Sequence, residues 1–256
     1  MKAAFFLAAG ALWRRELLRF YRDKSRVIGA LVPPFLFWFL IGSGLNKSFR
    51  LPGAADSVDY LEYFFPGTVV LILLFTAIFS TISIIEDRRE GFLQSVLIAP
   101  VPRSAIALGK ILGSTTLALL QALPFLLLAP VMGFNLSAEA FWWGLTALIL
   151  VALGLSSLGF CLAWMMESTQ GFHAIMNLFL IPLWLLSGAL FPASGASPWV
   201  ALVMKLNPVT YGVAALQQTL LDPSTLGSLP SLGTCLASIS LFNLAVFIAA
   251  VRIAQK

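Results

Sequence analysis

The chain has 256 residues, of which 59% are apolar and only 11% charged, and its formal net charge is +5. An ordinary soluble domain is about 45–50% apolar and about 25% charged, so a soluble fold of this composition would expose large apolar patches. The same figures exclude disordered, coiled-coil and disulfide-rich classes. Most of the chain is therefore expected to lie in lipid.

The N-terminal segment 1–26 is predicted to form an amphipathic helix at the membrane interface. Its apolar run resembles a signal peptide, but it ends in charged residues without a small-residue cleavage site and is too short to span a membrane. On a helix, four arginines fall within an arc of about 60°, and apolar side chains including three aromatics lie broadly opposite. The side chains assigned to this helix are Trp13, Arg15, Arg19, Arg22 and Arg26. A solvated stretch that only fixes topology is the alternative.

Six apolar stretches approach or exceed the length of about 20 residues that crosses the hydrocarbon core. They are 27–45, 64–85, 111–132, 141–164, 174–191 and 232–251, and they form a transmembrane domain over 27–251. If the N-terminus is cytoplasmic, the outer loops hold only Lys47, Arg50 and Lys205 of the 16 basic residues. The positive-inside rule then places both termini in the cytoplasm. The predicted fold class is an all-α integral membrane protein with six transmembrane helices.

The segment 86–110, after the second span, is predicted to be more than a loop. Its five consecutive charges, Glu86 to Glu90, mark the end of the span, because each charge would cost about 2.5–3.5 kcal/mol at mid-bilayer. Apolar residues at helical spacing follow, and Pro100 and Pro102 then break the helix. A plain connecting loop is the alternative, but it leaves the apolar run unexplained. The candidate residues are Glu86, Asp87, Arg88, Arg89, Glu90, Phe92, Leu93, Leu97 and Arg103.

The segment 192–212 is predicted to form short re-entrant helices between spans five and six, at the outer side. Three prolines divide it into apolar pieces that are too short to cross the membrane. Such pieces are tolerated at membrane depth only where protein or a water-filled cavity covers their backbone. An apolar extracellular loop is the alternative, although it would promote aggregation. The candidate gate residues are Pro192, Pro198, Asn207, Pro208 and Tyr211.

The sequence offers little for catalysis, metal binding or nucleic-acid binding. One histidine, His173, is expected in a short inner loop near Glu167, where the two would contact a cytosolic partner or only add polarity. The serines of 154–159 lack G-x-S-x-G spacing, and small residues there favour close helix packing. Cys161 and Cys235 lie in apolar runs and are expected to be small buried side chains, so no metal site is predicted. The basic residues flank apolar segments, which favours a lipid bilayer over nucleic acid as partner.

Two of these segments resemble the ABC-2 type permease family. In the inner segment the resemblance is carried by Glu86 to Glu90, Gly91-x-Leu93, Pro100-x-x-Arg103 and Gly109-Lys110. In the outer segment it is carried by Leu186-Ser187-Gly188-Ala189-x-Phe191-Pro192 and Asn207-Pro208-x-x-Tyr211. Six spans, the chain length and the basic interfacial helix also match, so the resemblance covers nearly the whole chain. In the family pattern, 86–103 corresponds to the cytosolic coupling element and 13–26 to the interfacial helix.

The resemblance implies a half-transporter, in which two permease chains, expected to be a homodimer, pair with two separate ATPase subunits. The assembly would export a drug, lipid or glycan across the bacterial inner membrane, and ATP and Mg²⁺ would be bound by the ATPase subunits. This chain would be no enzyme and would bind no cofactor. Its nearest approach to a phosphate loop, 104–111, lacks the first glycine and the hydroxyl after the lysine.

An ion-coupled or passive carrier or channel without an ATPase partner is the alternative function. Ion-coupled carriers usually place ionisable groups at mid-membrane. The stretches 111–138, 140–166 and 223–251 contain none. The energy is therefore expected to enter through the charged inner elements: closure of the ATPase subunits would push on 86–103 and open a path between two permease chains.

Overall fold

The computed structural model describes residues 2–45, 59–221 and 229–255, and every regular element within these ranges is helical. Lys47, Arg50 and Lys256, which contribute to the predicted orientation, lie outside them. The α-helices, in chain order, are α1 (Lys2–Arg22), α2 (Lys24–Leu45), α3 (Tyr60–Arg89), α4 (Phe92–Ile98), α5 (Arg103–Leu128), α6 (Ala138–Met165), α7 (Thr169–Trp184), α8 (Pro198–Leu206), α9 (Pro208–Leu220) and α10 (Leu232–Gln255).

Within the described ranges, six helical segments are long and apolar enough to cross a membrane, which confirms the predicted six-span fold. They are α2, α3, α5 with its continuation to Met132, α6, α7 with its continuation to Ala189, and α10. Each extends beyond its predicted bounds at one end or both. In α3 the charged residues after Ile85 continue the helix to Arg89 instead of ending it.

Helix α3 lies at the centre of the bundle and contacts α2, α5, α6, α7 and α9. In its most apolar stretch 89% of the residues are buried, whereas the corresponding shares in α2 and α10 are only 17% and 22%. A helix that is apolar on all sides is stable when neighbours surround it, and α3 has this pattern. The apolar outer surfaces of α2 and α10 are left to face lipid or another chain.

Helix α1 packs along α5 at two glycines spaced four residues apart. A Cβ atom at Gly109 would lie 2.6 Å from the carbonyl oxygen of Ala9, and one at Gly113 would lie 2.7 Å from Cβ of Glu16. Small residues at this spacing let two helix backbones approach closely. The amphipathic N-terminal helix is therefore attached to the bundle along its length.

The boundary between α1 and α2 corrects one sequence prediction. Asp23 separates the two helices, and its carboxylate accepts hydrogen bonds from the backbone N–H groups of Ser25 and Arg26 at the start of α2. Such capping stabilises a helix start, and the hydrogen bond from the Ser25 hydroxyl holds the pKa of Asp23 below its ordinary value. Arg26 lies on α2, so the prediction that it shares one helical arc with Arg15, Arg19 and Arg22 is wrong.

Helices α8 and α9 form the bent pair expected between the last two spans. They meet at Asn207 with an angle of 87° between them. Helix α8 leaves Trp199 and Leu206 exposed on the surface, whereas α9 enters the bundle and contacts α3, α6 and α10. This geometry agrees with the predicted re-entrant arrangement.

Candidate functional site

Charged side chains from α1, α3 and α5 meet at the end of the bundle where α3 ends and α5 begins, which we call the charged end. Glu16, Asp87 and Lys110 are at most 3% exposed, and we call them the buried ion cluster. The Lys110 ammonium donates to Glu16 at 2.6 Å, to Asp87 and to Ser83. Burying a charge costs several kcal/mol unless it is paired, so each of these groups depends on the others.

Two arginines of α1 surround this cluster. Arg15 binds Asp87 through both guanidinium nitrogens, at 2.6 and 2.8 Å, in the strong bidentate geometry. Burial lowers the pKa of Arg15, but the hydrogen bond and charge of Asp87 outweigh this effect and leave it raised. Arg19 contacts Asp87, Glu86 at 2.9 Å and Glu90 at 3.1 Å. The predicted acidic residues of α3 therefore bind α1 within the chain.

The apolar residues of α4 pack into the same end. Leu93 is buried with Leu12 of α1 and Ile106 of α5, and Leu97 is packed against this group. The guanidinium carbon of Arg15 lies 3.7 Å above the ring centroid of Phe92, in cation–π geometry. Three residues predicted for this element thus hold α4 onto the bundle.

The opposite face of α4 is exposed. Gln94, Ser95 and Ile98 project from it, and Ile98 is 85% exposed. Gly91, with a φ of 77°, makes the left-handed turn that separates α4 from α3. Sequence reasoning missed these three exposed residues, although their i, i+1, i+4 spacing across from Leu93 and Leu97 is the signal that could have identified them.

Arg88 and Arg89 bind the end of α6. Arg88 donates to the carbonyl groups of Trp164 and Met166 at 2.6 and 2.8 Å, and Arg89 donates to that of Glu167 at 3.2 Å. The last carbonyls of a helix have no partner within it and attract positive charge. These arginines consequently fasten α6 to the charged end.

Arg103 has the same role for α10. It lies at the first position of α5 and donates to the carbonyl of Gln255 at 2.9 Å. The predicted arginines of α3 and α5 are therefore engaged within the chain at the ends of other helices.

The remaining residues assigned to α1 separate into two groups. Trp13 faces α5 and donates its indole N–H to Thr116 at 3.0 Å. Arg22 is exposed and makes no ion pair with any described residue. The structure thus turns Arg15 and Arg19 toward α3, and leaves Arg22 at the surface.

At the opposite end of the bundle, Asn207 joins α7 to α9. Its amide donates to the carbonyls of Leu183 and Leu186, at 2.5 and 2.9 Å, and its side-chain oxygen caps α9 by accepting from Val209. Tyr211 donates to the carbonyl of Lys205 at 2.8 Å and so ties α9 back to α8.

The predicted prolines of this end start helical turns. Pro198 and Pro208 occupy the first positions of α8 and α9, where a missing N–H costs nothing. Pro192 precedes a short 3₁₀ turn, Ala193–Gly195.

Helix α7 breaks just before this region, and side chains from other helices bind the break. Gly188 has a φ of 85°, and its carbonyl accepts from Tyr63 at 2.7 Å and from Gln217 at 3.4 Å. Trp184 donates to the carbonyl of Gly67 at 2.8 Å. Sequence reasoning did not identify Tyr63 or Gln217, for which the only signal is a polar group within an apolar span.

His173 corrects another expectation. It lies within α7, and not in a loop, because the helix already begins at Thr169 with Ser168 as its cap. Its ring packs against Phe79 at a centroid distance of 5.9 Å. Cys161 and Cys235 are buried and free. Among the described residues no group of three His, Cys, Asp or Glu side chains could hold a metal ion.

The structure is that of a multi-pass membrane protein of the permease class. Its described residues form six helices long and apolar enough to cross a membrane, a charged end built around α1 and α4, and a re-entrant pair at the opposite end. The chain belongs to the ABC-2 type transporter family, which it matches over residues 8–221. This confirms the resemblance found in the sequence.

Similar proteins of known type agree with this family. A transport permease, ycf38, from Cyanophora paradoxa is 26% identical over 209 residues, covering 80% of this chain and 71% of the relative. Nodulation protein J from Sinorhizobium fredii (strain NBRC 101917 / NGR234) is also 26% identical, over 215 residues, covering 83% and 80%. Nodulation protein J from Neorhizobium galegae is 22% identical over 252 residues, covering 96% and 92%. The chain is therefore a membrane transport permease.

Proposed function

We propose that this permease is the transmembrane subunit of an ABC exporter in the bacterial inner membrane, with both termini in the cytoplasm. A separate ATPase subunit binds ATP and Mg²⁺ and supplies the energy, and a second copy of the chain completes the transport path. The substrate is amphipathic or lipid-linked, of the drug, lipid or glycan class.

The observation that carries this proposal is the two-sided construction of α4. One side is buried against α1 and α5 through Leu93, whereas the other presents Ile98, 85% exposed, at the end of the molecule. Because the buried side already holds α4 on the bundle, Gln94, Ser95 and Ile98 on the other side are free to contact a partner subunit. The exposed face of α4 is the place where the ATPase subunit docks.

The contacts of the charged end support transmission of a push on α4. Phe92 lies under Arg15, and Arg15 binds Asp87 near the end of α3. Lys110 connects the same carboxylate to α5. Movement of α4 is thereby passed to α1, α3 and α5 together, as a rigid-body shift of one end of the bundle.

The first test is purification of the tagged chain from its host membrane in mild detergent, followed by native mass measurement of the complex. A soluble ATPase in a two-plus-two assembly is the expected result. An oligomer without a nucleotide-binding subunit, obtained under conditions that preserve other membrane complexes, would refute the ATPase-powered function.

The second test addresses the docking face with a matched pair of variants. Ile98→Asp places a charge on the exposed face of α4, and Val131→Asp places one on a residue that is 73% exposed in the turn between α5 and α6. We expect Ile98→Asp to reduce ATPase co-purification at least several-fold, since a charge in the interface core must be desolvated, and Val131→Asp to leave it unchanged. Equal retention of the ATPase by both variants would contradict docking at α4.

One observation favours the alternative of an ion-coupled carrier. The buried ion cluster encloses three ionisable groups, Glu16, Asp87 and Lys110, within the protein. Ion coupling requires such enclosed groups, although this cluster lies at the charged end and not at mid-membrane. Substrate transport into vesicles without any ATPase, driven by a proton gradient and lost in Asp87→Asn, would support that function. Transport that requires ATP would support the exporter.

A further inference from the structure

An open groove of roughly 1250 Å³ lies at the charged end, between α1, the start of α2 and the end of α3. Most of the described residues that line it are charged, and six of them are basic and three acidic. These residues are Arg14, Arg15, Arg19, Arg22, Asp23, Lys24, Arg26, Glu86 and Glu90.

The three acidic groups are neutralised inside the groove. Arg26 binds Asp23 at 3.0 Å and also contacts Glu86, while Arg19 binds Glu86 at 2.9 Å and Glu90 at 3.1 Å. The basic groups that make these contacts come from both α1 and α2. No acidic residue of the lining is left to bind a further cation.

Arg14, Arg22 and Lys24 remain without an ion-pair partner among the described residues. All three are exposed and line the same groove. When the adjoining buried ion cluster is counted with the lining residues, two positive charges remain in excess. The unpaired basic side chains face an open space, which attracts an anion that several of them can bind together.

The groove lies at the depth of a membrane surface. It is formed at the start of α2, at Lys24, and at the end of α3, at Arg89, and both helices are long and apolar enough to cross a membrane. The charged ends of such helices are expected at the membrane surface. Leu18, which lines the groove, is 49% exposed, and Tyr21 and Ile28, on the same two helices, are 47% and 58% exposed. The basic side chains consequently lie at headgroup level, directly beside apolar surface that suits acyl chains.

We infer that this groove binds the phosphate-bearing headgroup of an anionic membrane lipid from the leaflet around the charged end. The acyl chains lie along the exposed apolar side of α2, near Ile28. The adjoining apolar surface favours a lipid over free phosphate, because a small soluble anion would leave that surface uncovered. The lipid is a bound component of the permease, so the inference does not depend on the ATPase or on the exported substrate.

The test is native mass spectrometry of the full chain, delipidated in neutral detergent and titrated with phosphatidylglycerol or phosphatidylcholine. The chain is expected to retain one phosphatidylglycerol in preference to phosphatidylcholine. In the double variant Arg22→Gln/Lys24→Gln, the preference should fall roughly tenfold, because two headgroup contacts are lost. The matched double variant Lys205→Gln/Arg252→Gln, at exposed positions outside the groove, should keep it.

Four results would overturn the lipid site. The first is equal binding of the two lipids, and the second is an equal loss of preference in both double variants. The third is displacement of phosphatidylglycerol by millimolar inorganic phosphate. The fourth is unchanged lipid binding in the groove variant together with loss of a co-purifying protein. The third would assign the groove to free phosphate and the fourth to a protein partner. A monodisperse size-exclusion profile checks that each variant is folded, and Arg14→Gln provides a second groove variant if the double change is not.

Discussion

The two ends of this helix bundle are joined by different chemistry. At the charged end, helices are connected by full charges that are buried or half-buried, with Lys110 at 3% exposure bound to Glu16 and Asp87. At the opposite end, the connections are neutral: amide, phenol and indole groups donate to backbone carbonyls near the break in α7.

The difference has a mechanical consequence. A buried ion pair gives little net stability when it is complete, but loss of one partner is expensive because the other charge stays buried. A neutral hydrogen bond contributes about 1 kcal/mol and can be lost singly. The charged end is therefore expected to move or fail as a unit, whereas the opposite end can loosen one contact at a time.

The largest expected effect follows from Lys110→Met. The substitution removes the ammonium shared by Glu16 and Asp87. Asp87 keeps Arg15 and Arg19. Among the described residues, however, the buried Glu16 keeps only Arg15 as an ion-pair partner, at 3.4 Å, so the protein should be destabilised by about 3–5 kcal/mol. The thermal unfolding midpoint of the purified chain in detergent measures this, with the exposed Lys205→Met as control.

A double-mutant cycle shows whether the cluster acts as a unit. Lys110→Met combined with Glu16→Gln should be less destabilised than the sum of the single changes, because one uncompensated charge is removed. Purely additive effects, or a midpoint for Lys110→Met equal to that of the control, would contradict a cooperative charged end.

A second, smaller effect is expected where α1 contacts α5. Gly109→Ala puts a Cβ 2.6 Å from the carbonyl oxygen of Ala9, so α1 must shift, at a cost of about 1–3 kcal/mol. Gly10→Ala is the matched control, since beyond the adjoining backbone of α1 no atom of the described chain would lie within 4 Å of that Cβ. Alanine also favours a helix over glycine by about 0.5–1 kcal/mol. Opposite shifts of the unfolding midpoint are expected, and a loss in both would show that the contact is not specific.

The fold could be predicted from the sequence far more completely than the charged end. The six spans, α4 and the bend at Asn207 follow from apolar length, proline positions and charge, which are local signals. The pairing of Lys110 with Glu16 and Asp87 could not be predicted from the sequence, because it depends on which faces α1, α3 and α5 turn toward one another. Glycines 109 and 113 form the one local pattern that marks where α1 approaches.

A loss of stability smaller than that of Lys110→Met is expected for Asn207→Ala at the opposite end. The variant loses the hydrogen bonds to the carbonyls of Leu183 and Leu186 and the cap of α9, so the free energy of unfolding should fall by about 1–3 kcal/mol. Hydrogen exchange should increase in α8 and α9 and stay unchanged in α1. Asn177→Ala, at an exposed position on α7, is the control. Increased exchange in α1 would show that the two ends are not independent.

The smallest effect on stability is expected for Glu90→Lys. Glu90 is 59% exposed at its side chain and pairs only with Arg19 among the described residues, so the lost ion pair is worth at most about 1 kcal/mol in solvent. Membrane insertion and the unfolding midpoint should therefore remain nearly unchanged. If the link between α1 and the end of α3 passes movement from α4 into the bundle, the variant should still hydrolyse ATP with its partner subunit but export less substrate per ATP. Normal export by a stable variant would remove Glu90 from the coupling path and leave that role to Asp87, the carboxylate bound by Arg15, Arg19 and Lys110.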